Sequence, residues 1–197
     1  MDAIELMMEE HKNIKVMLKI VRKACYSILE GKDVNFDDFI KILNGEEVIY
    51  EDFDKIIDFV RNYADSHHHK KEEIMLFNRM VDEIGETAEK VVKYGMLVEH
   101  DLGRLYITSL SEALENFKKG NNEAKLDIIA NAVAYTNLLE RHIHKEDNII
   151  YKFAQRELKD DTIKLINKEC NEFEDEFLNI KDENLSILEE LKNKYCL

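Results

Sequence analysis

The scarcity of helix-breaking residues constrains the fold of this sequence more than any other feature. Its 197 residues include no proline and only six glycines, while 36% are charged and 45% are hydrophobic. A β-sheet protein needs turn residues at short intervals, whereas long helices need none in their interiors. The length and the hydrophobic fraction are those of one ordinary globular domain. The sequence therefore predicts a single all-α domain over residues 1–197.

Apolar residues recur at steps of three and four along four long segments, which is the pattern of amphipathic helices. Glycine or asparagine marks the breaks, so we expect short loops between antiparallel neighbours in an up-down four-helix bundle over about 3–158. The predicted main helices are Ala3–Leu29, ended by Gly31; Tyr50–Ile84, ended by Gly85; a third from its cap Thr87 to Lys119; and Glu123–Leu158. A shorter helix at Phe36–Leu43 is predicted within the longest connection.

A further helical region is predicted at the C-terminal end, over residues 160–195. Asp160 and Asp161 offer side-chain oxygens that can cap a helix starting near residue 162. Most of its charge is expected to be solvated. The apolar residues expected to lie along the outside of the bundle are Leu165, Phe173, Phe177 and Leu188.

The net charge and the cysteine content limit the possible binding partners and the possible cellular compartments. A formal net charge of −14 argues against nucleic acid and anionic membranes, which need a basic surface. No apolar run approaches the roughly 18 residues of a membrane span, and Met1–Ile14 lacks the order of a signal peptide. Cys25, Cys170 and Cys196 are widely separated, which predicts reduced thiols. We expect a cytoplasmic protein.

All seven histidines fall in four places, one in each predicted main helix. At about 100° per residue, each helix can be tested for whether its histidine shares the face of its apolar stripe. The residues that lie on or beside these stripes are His11, His100, His142 and Glu146. His144 and Asp147 are predicted to point away.

The run of three histidines in the second helix needs a second criterion. The inward face admits His67 or His68, and only His68 has a carboxylate, Glu72, four residues later. His68 and Glu72 are therefore the predicted pair. His69 with Glu73 has the same spacing but is predicted to point outward, and it is the alternative.

The spacing of these pairs suits metal binding. The stretch HHKKEEIMLF at 68–77 resembles HIHKEDNIIY at 142–151, so one motif occurs twice. Side chains at i and i+4 lie on one helix face, so each motif directs an imidazole and a carboxylate toward one point. Burying carboxylates without a cation is costly, and Lys15 is the only base expected near these inward faces.

The predicted metal ligands are four imidazoles and two carboxylates: His11, His68, Glu72, His100, His142 and Glu146. Single buried histidines are more often core residues, but four of them with two correctly spaced glutamates favour a metal site. Nitrogen and oxygen donors suit iron or manganese better than calcium. Zinc stays an alternative, although its structural sites usually include sulfur.

In this order, and with His100 inside MLVEHDLGRLY, the motifs resemble the hemerythrin family, specifically its bacterial HHE cation-binding type, over about 4–158. The resemblance implies a bundle that holds two iron ions (Fe2+/Fe3+) joined by an oxo or hydroxo bridge. It also implies that Glu72 and Glu146 bridge the ions and that the four histidines are terminal ligands.

One position departs from the oxygen-carrying members of that family, which have a second histidine four residues after the one matching His100. Here that residue is Arg104, and Glu99 is a candidate to take the vacant position. Tyr106 is, with Arg104, a candidate neighbour of the site. Counting ligands leaves about two of about twelve octahedral positions open.

The open positions predict a protein that binds O2, H2O2 or NO and senses or detoxifies that ligand. Its expected partners are this small ligand and, if it reduces peroxide as an enzyme, an electron donor. The family also includes proteins of iron-sulfur cluster repair and of iron delivery or storage, which are the alternative.

Overall fold

The computed structural model describes residues 2–30 and 49–197, and the predicted helix at Phe36–Leu43 lies outside them. These residues form helices without any strand, which confirms the all-α prediction. The helices are α1 (Ala3–Leu29), α2 (49–84), α3 (86–118), α4 (124–157), α5 (Asp160–Glu176) and α6 (Leu178–Lys194). The first four form the bundle, with α3 and α4 packed closely along each other.

Three of the helix boundaries have a clear local cause. The Asp2 carboxylate accepts hydrogen bonds from the N–H groups of Ile4 and Glu5, which fixes the start of α1. Gly85 (φ 79°) and Gly120 (φ 94°) follow α2 and α3 in a left-handed conformation that glycine adopts without a steric penalty.

Two predicted helix caps are wrong. Helix α3 begins at Glu86, directly after Gly85, so Thr87 lies inside its first turn. Asp160 and Asp161 likewise belong to the first turn of α5, after the extended residue Lys159. There they stabilise the positive end of the helix dipole instead of capping it.

The C-terminal region is two helices that meet at Phe177 and pack against the bundle. Leu188 (3% exposed) joins the main core, and Phe173 is also buried, whereas Leu165 is exposed. Helix α6 contacts α1 and α2, and α5 contacts the same two helices. None of the described helices is long and apolar enough to cross a membrane.

Two hydrophobic clusters of the described residues fill the bundle. Between them lies a polar layer, which contains the buried residues His11, His68, Glu72, His100, His142 and Glu146. One cluster contains Met7, Leu76, Met96 and Ile150, and lies toward the N-terminal end of α1. The other contains core residues such as Ile14, Ala64, Ile107 and Leu139. In every main helix the histidines lie between residues of the two clusters. The sequence of each helix therefore places its histidines at the same level of the bundle.

Four segments of these helices are π-helical, with i→i+5 hydrogen bonds. They are Val60–His69 and Glu72–Phe77 in α2, Val92–Met96 in α3 and Glu146–Ile150 in α4. Such segments are rare and occur frequently at functional sites. A π turn is wider than an α turn, so each residue advances by less than about 100° around the axis. Side-chain directions in α2 therefore depart from an α-helical projection after Val60.

Candidate metal centre

The polar layer brings together all six residues predicted to bind metal, and each of them is at most 1% exposed. Both predicted pairs converge: His142 Nε2 lies 2.9 Å from Glu146 Oε1, and His68 Nε2 lies 3.6 Å from Glu72 Oε2. The other helices meet them there, because His11 Nε2 is 3.4 Å from Glu146 Oε2 and His100 Nε2 is 3.6 Å from Glu72 Oε2.

The prediction that His69 points outward is wrong. Its side chain is 5% exposed and its ring stacks on that of His100, with centroids 3.9 Å apart. The cause is the π-helical segment Val60–His69, whose smaller rotation per residue turns His69 inward beside His68. His67 is buried as well, but it faces α5 and not the glutamates of the layer.

The donor atoms form two groups that share Glu72. One group contains His69, His100 and His142, and the other contains His11, His68 and Glu146. Within each group the donor atoms all lie within 4.8 Å of one another, which is close enough for one ion to contact all of them. Glu146 also approaches the first group through its contact with His142. The arrangement is therefore two adjacent pockets of donors joined by carboxylates.

A carboxylate contacts the Nδ1 atom of each of the five histidines in these groups. The pairs are His11 with Asp147 (2.6 Å), His68 with Glu10 (2.8 Å), His69 with Asp65 (3.3 Å), His100 with Glu73 (2.6 Å) and His142 with Glu99 (2.9 Å). A carboxylate that accepts a hydrogen bond from Nδ1–H leaves Nε2 as the ring atom that can bind a metal. Histidines that bind metal are almost always held in this way.

A second layer of basic side chains neutralises those carboxylates. Its ion pairs are Lys15 with Asp147, Lys71 with Glu10, Arg104 with both Asp65 and Glu73, and Lys145 with Glu99. Each imidazole therefore has a carboxylate behind it and a cation behind that carboxylate. Burial opposes the charge of Asp65, Glu73 and Asp147, but the imidazole and the cation beside each carboxylate outweigh it and lower its pKa.

These contacts correct three of the predictions. Asp147, which was predicted to point away, is the partner of His11. Glu99 lies on the outer, Nδ1 side of His142, so it does not take the position that Arg104 leaves. Lys71 is fully buried, so Lys15 is not the only base near the inward faces. Tyr106, a candidate neighbour of the site, packs against the hydrophobic core.

The centre of the layer contains polar atoms without a hydrogen-bond partner among the described residues. They are His68 Nε2, Glu72 Oε2 and both carboxylate oxygens of Glu146. Leaving such atoms buried and unpaired costs free energy, and several of them converge here. Cations between these atoms would satisfy them all, so the residues present fit a metal site.

The electrostatics of the layer divide its imidazoles into two kinds. Burial opposes the charge of His142, but Glu146 and Glu99 outweigh it and raise the pKa of His142 to about 10. Burial lowers the pKa of His68 well below its usual value, and burial followed by His100 lowers that of His69 to about 3. Burial opposes the charge of Glu146, but His142 and the other imidazoles outweigh it and hold its pKa well below normal. Burial and the neighbouring Glu146 raise the pKa of Glu72. A second carboxylate charge here requires a compensating cation.

Tyr151 is a polar neighbour of the centre that sequence reasoning did not single out. Its hydroxyl donates to Glu72 Oε1 at 2.5 Å and lies 3.5 Å from His11 Nε2, and its ring stacks on His11. The repeated motif carried a signal for this residue, because Tyr151 occupies the offset that Phe77 occupies in the first copy.

The five carboxylate partners were missed or misplaced for a different reason. They are charged residues at the margin of each apolar stripe, where a sequence pattern does not distinguish a solvated acid from a hydrogen-bond acceptor. One signal was present: Asp65 and His69 are four residues apart, the same separation as in the predicted pairs.

The comparisons with known proteins agree with this geometry. The family model of the hemerythrin HHE cation binding domain matches residues 2–154. That span contains both donor groups and ends before α5 and α6. Neither the curated proteins nor the solved structures give a significant match.

Proposed function

Because this chain belongs to the hemerythrin HHE cation-binding family, we propose that it holds two iron ions in the polar layer and binds a small ligand such as O2, H2O2 or NO. The observation that carries the proposal is the set of five buried imidazoles, each with a carboxylate at Nδ1 and each in a group of donor atoms that includes Glu72. Iron suits this set of nitrogen and carboxylate donors, which contains no thiolate.

The donor groups suggest how the ions are shared. His69, His100 and His142 hold one ion, and His11 and His68 hold the other. Glu72 and Glu146 lie between the two groups and bridge them. This assignment adds His69 to the six ligands predicted from the sequence.

His69 changes the count of open positions. Five imidazoles and two bridging carboxylates fill about nine of about twelve octahedral positions, and a shared solvent ligand fills about two more. About one position would stay open, and it would lie on the side of His11 and His68, which is the group with fewer imidazoles. The expectation of two open positions assumed four imidazoles. With one, reversible binding or sensing is better supported than turnover of peroxide.

Bound iron supplies a redox-active Lewis acid at which such a ligand can bind. The residues of the chain supply the environment of the metal site. The two hydrophobic clusters exclude water above and below the layer. The carboxylates at Nδ1 fix the ring orientations, and Tyr151 places a hydroxyl 3.5 Å from His11 Nε2, in the donor group that has fewer imidazoles.

The decisive experiment measures metal content together with the optical spectrum of the aerobically oxidised protein, before and after azide is added. We expect two irons per chain and a charge-transfer band that azide changes. One zinc ion, or no bound metal after purification and iron loading, would contradict the proposal. Repeated cycles of oxygen exposure and removal then separate reversible binding, which restores the starting spectrum, from consumption of peroxide.

A further inference from the structure

Helix α5 lies beyond the residues that match the family, yet it reaches the polar layer through Glu174. The Glu174 carboxylate forms an ion pair with Lys71 and lies 2.8 Å from His67 Nε2. Both partners belong to α2 and are fully buried. The C-terminal region therefore makes a polar contact inside the protein, in addition to its apolar packing.

Further polar contacts connect Lys71 to the metal ligand His68. Lys71 also pairs with Glu10 of α1, which is 2% exposed. Glu10 Oε2 in turn accepts a hydrogen bond from the Nδ1–H of His68 at 2.8 Å. One chain of charge-assisted contacts thus runs from Glu174 through Lys71 and Glu10 to His68.

We propose that α5 contributes to the metal centre: Glu174 positions the Lys71–Glu10 pair and thereby orients the ring of His68. The inference rests on the two-metal site proposed above. Glu174 is a positioning residue, because two side chains separate it from the nearest metal ligand.

Charge explains why the cluster positions a ring instead of holding a third ion. Glu10, His67 and Glu174 have metal-ligand spacing, but the ammonium group of Lys71 contacts both carboxylates and already neutralises them. Lys181 adds a second positive charge, 2.6 Å from Glu174.

Lys71 controls how well Glu10 serves His68. The ammonium group of Lys71 contacts Oε1 of Glu10, and Oε2 of the same carboxylate faces Nδ1 of His68 at 2.8 Å, so the position of Lys71 sets how the carboxylate meets the ring. Glu174 holds Lys71 in place from the opposite side. Without that charge, Lys71 pairs with Glu10 alone and draws it away from the ring, and His68 becomes a weaker ligand.

Apolar packing of α5 does not require this carboxylate. Phe173 is buried and stacks on Phe177, with ring centroids 4.2 Å apart, and both rings approach His67. The substitution Glu174→Gln keeps the shape of the side chain and leaves these contacts intact. It therefore separates positioning from docking.

The test compares the full chain with its Glu174→Gln and Glu176→Gln variants, since Glu176 is exposed on the same helix. Iron affinity is measured by competition with a chelator. Loss of a partner behind a metal ligand typically costs 10–100-fold in affinity. Because Glu174 acts through two side chains, we expect about a tenfold loss for Glu174→Gln. We expect wild-type affinity for Glu176→Gln.

Nitrogen-15 NMR of histidine side chains in the metal-free protein gives a second readout. It should show His68 protonated at Nδ1 in the wild type and a partial loss of that tautomer in Glu174→Gln. If the variant has wild-type affinity and a wild-type His68 signal, α5 only packs and the proposal is wrong. If the wild type binds no iron, the proposed function fails while the NMR comparison still decides the role of Glu174.

A second variant keeps the proposal testable if Glu174→Gln fails to fold. Glu174→Asp retains the charge but shortens the side chain by one methylene group, so it should fold and lie between the wild type and Glu174→Gln in affinity. If Glu174→Gln loses its helical circular dichroism, this milder variant decides, and wild-type behaviour of Glu174→Asp in both measurements would then overturn the proposal.

Discussion

The imidazole rings of His69 and His100 are stacked, with planes 11° from parallel and centroids 3.9 Å apart. The two residues belong to different helices, α2 and α3, and Arg104 joins their partners by pairing with both Asp65 and Glu73. So close a contact requires at least one neutral ring, which agrees with the lowered pKa of His69. The structure thus supplies an imidazole from α2 where α3 carries Arg104.

Replacing His69 should therefore weaken the metal site. We expect His69→Ala to lose more metal affinity than the 10–100-fold that is typical of changes behind a ligand, because it removes a donor itself. The matched control is His144→Ala, whose ring contacts Asn148 on the exposed side of α4. Chelator competition measures both variants. Equal affinity in the two would show that His69 is only a core residue.

Position 104 offers a test of the same idea by rescue. Since the Arg104 side chain reaches Asp65 beside His69, Arg104→His places an imidazole near the lost one. We expect the double variant His69→Ala with Arg104→His to bind more iron per chain than His69→Ala alone. Arg104→His by itself should gain nothing, because His69 already fills the position. Metal analysis of the purified variants checks both statements, and a gain from Arg104→His alone would count against them.

Tyr151→Phe should destabilise the metal-free protein more than the iron-loaded protein. The change removes the hydroxyl that donates to Glu72, whose other oxygen already has no partner among the described residues. An unsatisfied buried acceptor costs about 1–3 kcal/mol, and a bound cation would offset that loss. Urea unfolding with and without iron measures the difference.

The control for that prediction is Tyr106→Phe, which changes a partly buried tyrosine of the hydrophobic core. It should have a smaller effect that does not depend on iron. If Tyr151→Phe has the same effect in both metal states, the hydroxyl does not interact with the site.

Removing the metal should lower stability without dissolving the helices. The two hydrophobic clusters keep the bundle packed, so the far-ultraviolet circular dichroism should persist. Loss of a ligand at about 100 times its Kd removes about 2.7 kcal/mol of stability. Thermal unfolding before and after chelation measures the shift in Tm. An unchanged Tm would show that the unpaired oxygens of Glu146 do not bind a cation.

Much of the fold was predictable from the sequence because it depends on local patterns. The three- and four-residue apolar steps gave four main helices, and Gly85 and Gly120 ended two of them. Helix caps were less predictable. Thr87 has a capping side chain, but the helix began one residue earlier, after a glycine that adopts φ 79°.

The six residues predicted to bind metal lie together in the polar layer, and their role as ligands stays a prediction. His68 with Glu72 and His142 with Glu146 converge because a separation of four residues lies within one helix. The error at His69 arose because the projection assumed α-helical rotation through Val60–His69, which is π-helical. One sequence position was thus assigned to the wrong face by a change in helix type.

The sequence by itself determined the helices, the level of the histidines in the bundle and the two His-x-x-x-Glu pairs, since each of these depends on spacing within one segment. Only the tertiary structure decided which carboxylate faces each Nδ1 atom, that Lys71 is buried, and that Glu174 reaches the layer. Those relationships join residues on different helices, such as Glu174 and His67, 107 positions apart. Packing between helices sets them, and no spacing along a single helix contains that information.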